Sequence, residues 1–326
     1  MTWTKDSLPN VAKKWPEHLK AECVTIVNSA LEDGATEREA IFACIGVMGN
    51  AERADVRDVP TPIEYAKTLR GNKKAPTIPP PPETKVQEAE YYRELKRMVN
   101  FQKRTIREII MPEVPHILRK SRVDSPRLDD YVDDLENSMT EARAMFLEEY
   151  PPRRLEQMAA AAAVLTDNVN KVYYNKFYRI IGLNPLISEP WLAVKSKAFV
   201  ADNVSLINNL TTDEYARVEG IVSRGAQSGD TVKAVESNIR ATYPKLDNRA
   251  KLIAQDQIQK FNGSLNHSRQ VDAGVTSYIW VSSGDERVRT THRAFNTNVY
   301  SWKVGSPEGH PGMPVRCRCR AKPIIE

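Results

Sequence analysis

The sequence predicts a mainly α-helical protein: an elongated multi-helix body followed by a small α+β module at the C-terminal end that contains a short β-sheet. Three observations predict it. Over most of the chain, apolar residues recur at three- and four-residue spacing between Ser/Thr starts and Gly or Pro stops, which is the signature of amphipathic helices. Only after Gly274 does the period change, in Val275–Ser282, a run rich in Val, Tyr, Ile and Trp that reads as a strand with a turn at Ser283-Gly284. Finally, seven of the 21 prolines fall between Pro60 and Pro82, ending in Pro79-Pro80-Pro81-Pro82, so residues 60–82 read as a stiff, extended linker carrying few contacts.

The linker sets the predicted organisation. Residues 1–59 form a small N-terminal helical unit, in which Leu19, Cys23, Ile26, Val27, Ala30 and Leu31 line one helix within Trp15–Asp33. Gly34 caps that helix, Thr36 and Glu39 form a capping box, and Ile41, Cys44, Ile45 and Met48 line a second. A hairpin this small is marginal alone and is expected to dock on another surface.

Residues 83–189 form a region of long amphipathic helices. Val86, Leu95, Val99, Ile106 and Ile110 mark the first, which Pro112 is expected to stop. Ser125-Pro126 opens the next, with Leu128, Tyr131, Val132, Leu135, Met139, Ala142 and Phe146 on one face. Pro151-Pro152 closes it and begins a third, which carries Ala159–Ala163 and ends at Gly182. Residues 190–326 form the last region. A helix starts at Ser188-Glu189-Pro190, a capping box is expected at Thr211 and Glu214, and Gly225 to Gly229 is a turn. Asp230 caps a short helix before Pro244, and a helix from about Leu246 to Arg269 ends near Gly274. The tail Arg316-Cys317-Arg318-Cys319-Arg320 alternates, so a strand there places three arginines on one face and two cysteines on the other.

Composition narrows the class. With 41% hydrophobic and 27% charged residues the chain lies in the globular range, and its longest apolar run, Ile41–Met48, is too short to span a bilayer. No secretory leader is visible, and four cysteines in 326 residues suit a reducing compartment rather than a disulfide scaffold. The expectation is therefore a soluble intracellular product without a membrane partner. Charge is blocked: net +6 over Arg93–Arg122, −7 over Asp124–Glu149 and +4 from Asp285 onward. Such blocks fit complementary surfaces within an assembly, or solvated helix faces that compensate each other.

The most specific motif is at the end of the chain. Trp280 is followed by Gly284-Asp285-Glu286-Arg287-Val288-Arg289-Thr290-Thr291-His292, and then by Gly309-His310-Pro311-Gly312-Met313-Pro314-Val315-Arg316-Cys317-Arg318-Cys319. Upstream stand Ile207-Asn208-Asn209-Leu210, Gly229, Arg249-Ala250 and Leu252–Gln257. This set resembles the Mu F-like phage head morphogenesis family, the minor capsid or minor head proteins, over about residues 190–326. The departure is Asn296-Thr297-Asn298, which stands where members often have an Asp-Gly or Asn-Gly turn; Asn tolerates the left-handed conformation, so the turn is expected to survive. In a smaller set of residues, Leu8-Pro9 and Asn28-Ser29-Ala30-Leu31, the segment 8–49 resembles the ChaB-like helical unit.

The resemblance implies a non-enzymatic structural protein of a tailed-phage virion, present in the host cytoplasm during assembly. Its implied partners are the portal protein, other head proteins and, without sequence preference, packaged DNA. Its implied role is head morphogenesis and DNA packaging or ejection. Some relatives carry an added toxin or enzyme domain beyond the tail motif; with seven residues after Cys319, none is expected here.

Three chemistries are open to these residues. Arg287, Arg289, Arg293, Arg316, Arg318 and Arg320 suit phosphate oxygens, although Arg287 and Arg289 are better read as pairing with Asp285, Glu286 and backbone carbonyls. Cys317 and Cys319, with His292 and His310, offer two sulfurs and two nitrogens to a zinc ion, and many relatives carry a Cys-x-x-Cys where Arg289 and His292 stand. The Cys-x-Cys bite is tighter than usual zinc spacing, so the expectation is no cofactor and a reduced, buried cysteine pair. A zinc-stabilised nucleic-acid-binding module is the alternative function. A nuclease-like enzyme using Asp285, Glu286 and His292 comes third. No Gly-x-Ser-x-Gly, phosphate-loop, dinucleotide or His-Glu-x-x-His motif occurs, and no catalytic residue is assigned.

Overall fold

The computed structural model describes Thr4, residues 17–32, Ala40, Cys44, and residues 60–122, 130–184 and 189–325. The protein is mainly helical, with a small antiparallel sheet near its C-terminal end. In chain order the helices are α1 (Glu17–Glu32), α2 (Pro62–Arg70), α3 (Lys85–Thr105), α4 (Met111–Lys120), α5 (Asp130–Glu149) and α6 (Pro152–Ile180). They continue as α7 (Pro190–Ser228), α8 (Val232–Arg240) and α9 (Tyr243–Ala273). Strand β1 (Ser277–Val281), the short helix α10 (Thr290–Phe295), β2 (Val299–Ser301) and β3 (Arg320–Pro323) complete the described elements.

Two compact units result, one of residues 1–83, 166–195 and 259–326, the other of residues 84–165 and 196–258. The sequence-based segments 83–189 and 190–326 are thus each divided, because the unit boundaries fall inside the long helices α6, α7 and α9.

In the second unit, Leu95, Met98 and Val99 of α3 and Ile106 and Ile110 beyond it are fully buried. Pro112 does not stop this helix as the sequence suggested. A π-helical turn, Ile106–Ile110, precedes it, so Pro112 falls in the first turn of α4, where a missing N–H costs little. Two buried polar side chains bond across helices: the Tyr91 hydroxyl donates to Asn203 Oδ1 at 2.9 Å, and Gln102 Nε2 donates to the Thr211 carbonyl at 2.8 Å. The expected capping box at Thr211 and Glu214 does not form, since both lie inside α7. The Thr211 hydroxyl donates backward to the Asn208 carbonyl at 3.0 Å, and Glu214 accepts from the Thr242 hydroxyl. After Gly229 the cap is Thr231 rather than Asp230, its hydroxyl accepting from the Ala234 N–H at 3.2 Å. The opposed charge blocks meet inside this unit, where Lys120 Nζ lies 2.6 Å from Asp134.

The N-terminal helix holds a second difference. Cys23 and Cys44, both buried, form a disulfide with Cα atoms 5.0 Å apart, where composition suggested reduced thiols. Counting cysteines could not reveal that two of four share one buried spot. Gly34, the Thr36–Glu39 box, Ile41, Ile45, Met48, Leu8-Pro9, Ser125-Pro126 and Leu128 lie outside the described residues.

The first unit is built on a three-stranded antiparallel sheet with order β2-β1-β3, one strand more than the predicted pair. Tyr278 pairs with Tyr300 in β2, and Trp280 with Ala321 in β3. Tyr278 and Trp280 are fully buried and pack with Tyr174, Phe177, Tyr178, Ala273, Trp302, Cys317 and Cys319. The same core takes in Ile63, Ala66 and Ile78, so the linker reading of 60–82 is corrected. Its Thr61-Pro62 is a helix start: the Thr61 N–H donates to Glu64 Oε2 at 2.6 Å, and the Glu64 N–H to Thr61 Oγ1 at 3.3 Å. Beyond α2 the extended prolines do lack donors, but their carbonyls are used. Pro79 accepts from the Tyr173 hydroxyl at 2.7 Å and Pro81 from Arg320 at 3.0 Å.

Gly274 ends α9 with φ +91°, its N–H donating to the Val271 carbonyl and that of Val275 to Gln270. A Cβ there would lie 2.2 Å from Thr61 Oγ1, so glycine is required both by conformation and by the approach of the α2 cap.

Arg269, 3% exposed, is the buried charge of this unit. Its guanidinium donates to Glu189 Oε1 at 2.5 Å and Oε2 at 2.7 Å, to Asp167 at 2.6 Å and to Asn170 Oδ1 at 2.6 Å. Burial works against its charge, but the bonds and charge of Glu189, joined by Asp167, outweigh it and hold the pKa above the ordinary value.

Two outcomes are expected. Deleting residues 1–82 strips Ile63 and Ile78 from the core at roughly 1.5–3 kcal/mol each, so the truncated chain should lose denaturant resistance and bind a hydrophobic dye. A deletion variant with the full-length unfolding midpoint would refute this. Arg269→Met should cost about 3–5 kcal/mol in urea denaturation, because it leaves two buried carboxylates unneutralised.

Candidate functional site

The central strand organises the site. Around the Trp280 ring stand His292 and Phe295 from α10, each 5.2 Å away by ring centroid and edge-on, and Tyr300 from β2 at 5.9 Å. The turn between α10 and β2 keeps its shape without glycine, but the left-handed residue is Thr297 at φ +69°, not an asparagine. Both asparagines are used otherwise. Asn296 Oδ1 accepts from the Ser282 N–H at 2.9 Å, and Asn298 Nδ2 donates to the Ala294 carbonyl at 3.1 Å.

The tail approaches as a loop, and only from Arg320 as a strand. Its alternation holds in burial: Cys317, Cys319 and Ala321 are buried, while Arg316, Arg318 and Arg320 are partly or fully exposed. The preceding loop lies against α9 at Gly263, where a Cβ would meet the Pro311 carbonyl at 3.1 Å. From Gly312 of that loop, an N–H donates to Cys317 Sγ at 3.3 Å.

His292, 3% exposed, sits over the cysteines. Its Nδ1 lies 3.6 Å from Cys317 Sγ and 3.5 Å from Cys319 Sγ, while Nε2 lies 2.9 Å from Glu308 Oε2. Among the described residues, His292, Cys317 and Cys319 form a group whose donor atoms all fall within 4.8 Å of one another. A hydrogen bond from the Cys319 thiol, helped by the Gly312 N–H, pulls the Cys317 thiol below its ordinary range despite burial. Hydrogen bonding to Cys317 and burial push the Cys319 thiol up. Glu308 is held below the usual carboxylate range by a hydrogen bond from Thr291 and by His292 and Arg289.

His310 is not part of this group. Its Nδ1 lies 3.0 Å from the Tyr278 hydroxyl, and its ring packs on Trp302 and His267. Burial lowers the pKa of both His310 and His267, and the neighbouring His310 and Lys195 lower that of His267 further.

The arginines are spread and mostly occupied. Arg318 pairs with Asp285, Arg289 donates to the Val315 carbonyl at 2.8 Å, and Arg293 donates to the carbonyls of Asp285 and Glu286 at 3.4 and 3.3 Å. Arg320 turns to Pro81, and Arg287, Arg289, Arg293 and Arg316 are exposed. Asp285 and Glu286 are thus engaged in shaping the turn, Asp285 Oδ1 also accepting from the Arg287 N–H at 3.1 Å.

Sequence reasoning missed Glu308, Gln270 and Arg269. Gln270 is fully buried, donating to the Ala321 carbonyl at 2.9 Å and accepting from Trp302 Nε1 at 3.0 Å, which ties α9 to both ends of the module. A polar residue on the apolar stripe of α9 was the available signal for Gln270 and Arg269. Glu308 carries no such mark.

A buried Trp strand, a His-bearing short helix and a Cys-x-Cys tail closing on a long helix define the C-terminal module. The family model described as phage Mu protein F like protein matches residues 216–322, which supports a Mu F-like assignment of that segment. A protein of Haemophilus influenzae described as uncharacterized is 28% identical over 142 residues, covering 43% of this chain and 32% of that protein. The chain therefore spans about a third of the length of the curated relative it matches. No solved structure matches. No helix of the described residues is long and apolar enough to cross a membrane.

The half-buried imidazoles of His267 and His310 predict a pH response. Their folded-state pKa values are depressed, so their contribution is present above the unfolded value of about 6.5 and is lost as pH falls below it. Thermal stability should decline from pH 7 to pH 5, and His267→Gln should show a smaller decline; an unchanged slope would contradict the assignment.

Proposed function

We propose that this chain is a minor structural component of a tailed-phage head, joining the assembly near the portal and acting in head morphogenesis and in DNA packaging or ejection, without catalysing a reaction. The observation that carries the reading is the Mu F-like match over residues 216–322, the segment that contains β1, β2, all but the last residue of β3 and the His292–Cys317–Cys319 group. The arrangement of charged groups there supports a structural role. Asp285, which a nuclease would need for a metal, is paired with Arg318, and Arg289 and Arg293 hold loop carbonyls. Any contact of the exposed Arg287 with packaged DNA would be independent of sequence and weakened by salt.

Quantitative mass spectrometry of purified procapsids and virions tests the proposal. The chain should be present at far lower copy than the major capsid protein, and an asymmetric reconstruction should place it at the portal vertex. Its absence from both particles would overturn the structural reading.

A further inference from the structure

We propose that His292, Cys317 and Cys319 bind one zinc ion, with His292 Nδ1 and both sulfurs as ligands and a fourth position open to water. The inference goes beyond the head-protein reading and does not depend on it.

Distance is the first argument. Tetrahedral zinc with Zn–S of about 2.3 Å and Zn–N of about 2.0–2.1 Å sets its nitrogen and sulfur ligands about 3.6 Å apart. His292 Nδ1 lies 3.6 and 3.5 Å from the two sulfurs. The second argument is the tautomer. With Nε2–H donating to Glu308 Oε2 at 2.9 Å, the Nδ1 lone pair faces the sulfurs. A carboxylate behind a ligating imidazole in this way fixes the ring and raises its basicity.

The third argument is the direction of the surrounding donors. The Gly312 N–H points at Cys317 Sγ at 3.3 Å. The Trp280 indole Nε1 is buried without a hydrogen-bond partner among the described residues, on the ring that packs edge-on against His292. An N–H donated to sulfur stabilises a thiolate, and thiolates in a buried site need a cation. One Nδ1 lone pair accepts only one S–H, so without a metal the second thiol can donate only to the other sulfur. A divalent ion resolves both problems. Its binding releases the two thiol protons to solvent, and its charge of +2 cancels two thiolates, so the first layer of ligands is neutral. His310 is excluded because its Nδ1 is engaged with Tyr278. The tight Cys-x-Cys bite is accommodated because Cys317 and Cys319 lie two residues apart on the same buried side of the tail.

The test uses the full-length chain, expressed without added zinc and purified without chelator. Elemental analysis should find about one zinc per chain. Cys317→Ser and Cys319→Ser should each reduce it to background, whereas the Cys23→Ser/Cys44→Ser variant should retain it. Because a cysteine variant can misfold, two further measurements keep the proposal exposed. Cobalt added to the apo wild type should give a sulfur-to-cobalt charge-transfer band that zinc abolishes, and Glu308→Gln should weaken zinc binding by about 10–100-fold while leaving the helical circular dichroism unchanged. A metal-free chain whose two thiols are alkylated at the same rate with and without zinc would overturn the site, as would a Cys317–Cys319 disulfide in the native protein. Neither result bears on whether the chain enters phage heads, so the two readings fail separately.

Discussion

A tryptophan on the middle strand of a three-stranded sheet can be covered only from the faces, because both edges are already hydrogen-bonded. Trp280 is in that position and is fully buried. Its partner across β3 is the small Ala321, which leaves space over the ring, and α10 fills it with His292 and Phe295. The two-residue period then decides the rest. With Ala321 turned inward, Cys319 and Cys317 follow on the buried side, and the arginines between them turn outward. The sulfurs reach His292 because the tryptophan has already fixed the height of α10 above the sheet.

This logic explains what could be read in advance. The Trp280 strand, the alternation of the tail and the stop at Gly274 all depend on local periods and local backbone demands, which a sequence displays directly. The Schellman geometry at Gly274 needs only glycine after a helical stripe. His292, Cys317 and Cys319 were legible as a set because soft and nitrogen donors in a strand-poor tail are few. His310 shared the residue type but not the place, since its contact with Tyr278 depends on how the loop settles on Gly263.

Elsewhere, local rules lost to packing. Pro112 reads as a helix stop, yet a preceding π-turn moves it to a first-turn position where proline is harmless. Thr211 and Glu214 match a capping box, but such a box works only where N–H groups are free, and inside α7 they are already bonded. Thr297 holds a left-handed conformation that the flanking asparagines would adopt at lower cost, because their side chains are needed to bind Ser282 and Ala294. The prolines of 60–82 signalled extended backbone correctly, and what they concealed was Ile63 and Ile78 facing a core supplied from the other end of the chain.

That distance along the chain gives the C-terminal motif its structural meaning. Arg269 draws Asp167, Asn170 and Glu189 to α9, and the next residue, Gln270, holds Trp302 and the Ala321 carbonyl. The tail reaches back as well, through Arg320 to Pro81. None of these bonds is local, so each adds loop-closure entropy that only the completed core offsets. The tail is consequently the closure of the first unit and not an appendage to it. A motif in that position ties the presentation of its exposed arginines to completion of the fold, since the strand that orders them also seals Trp280.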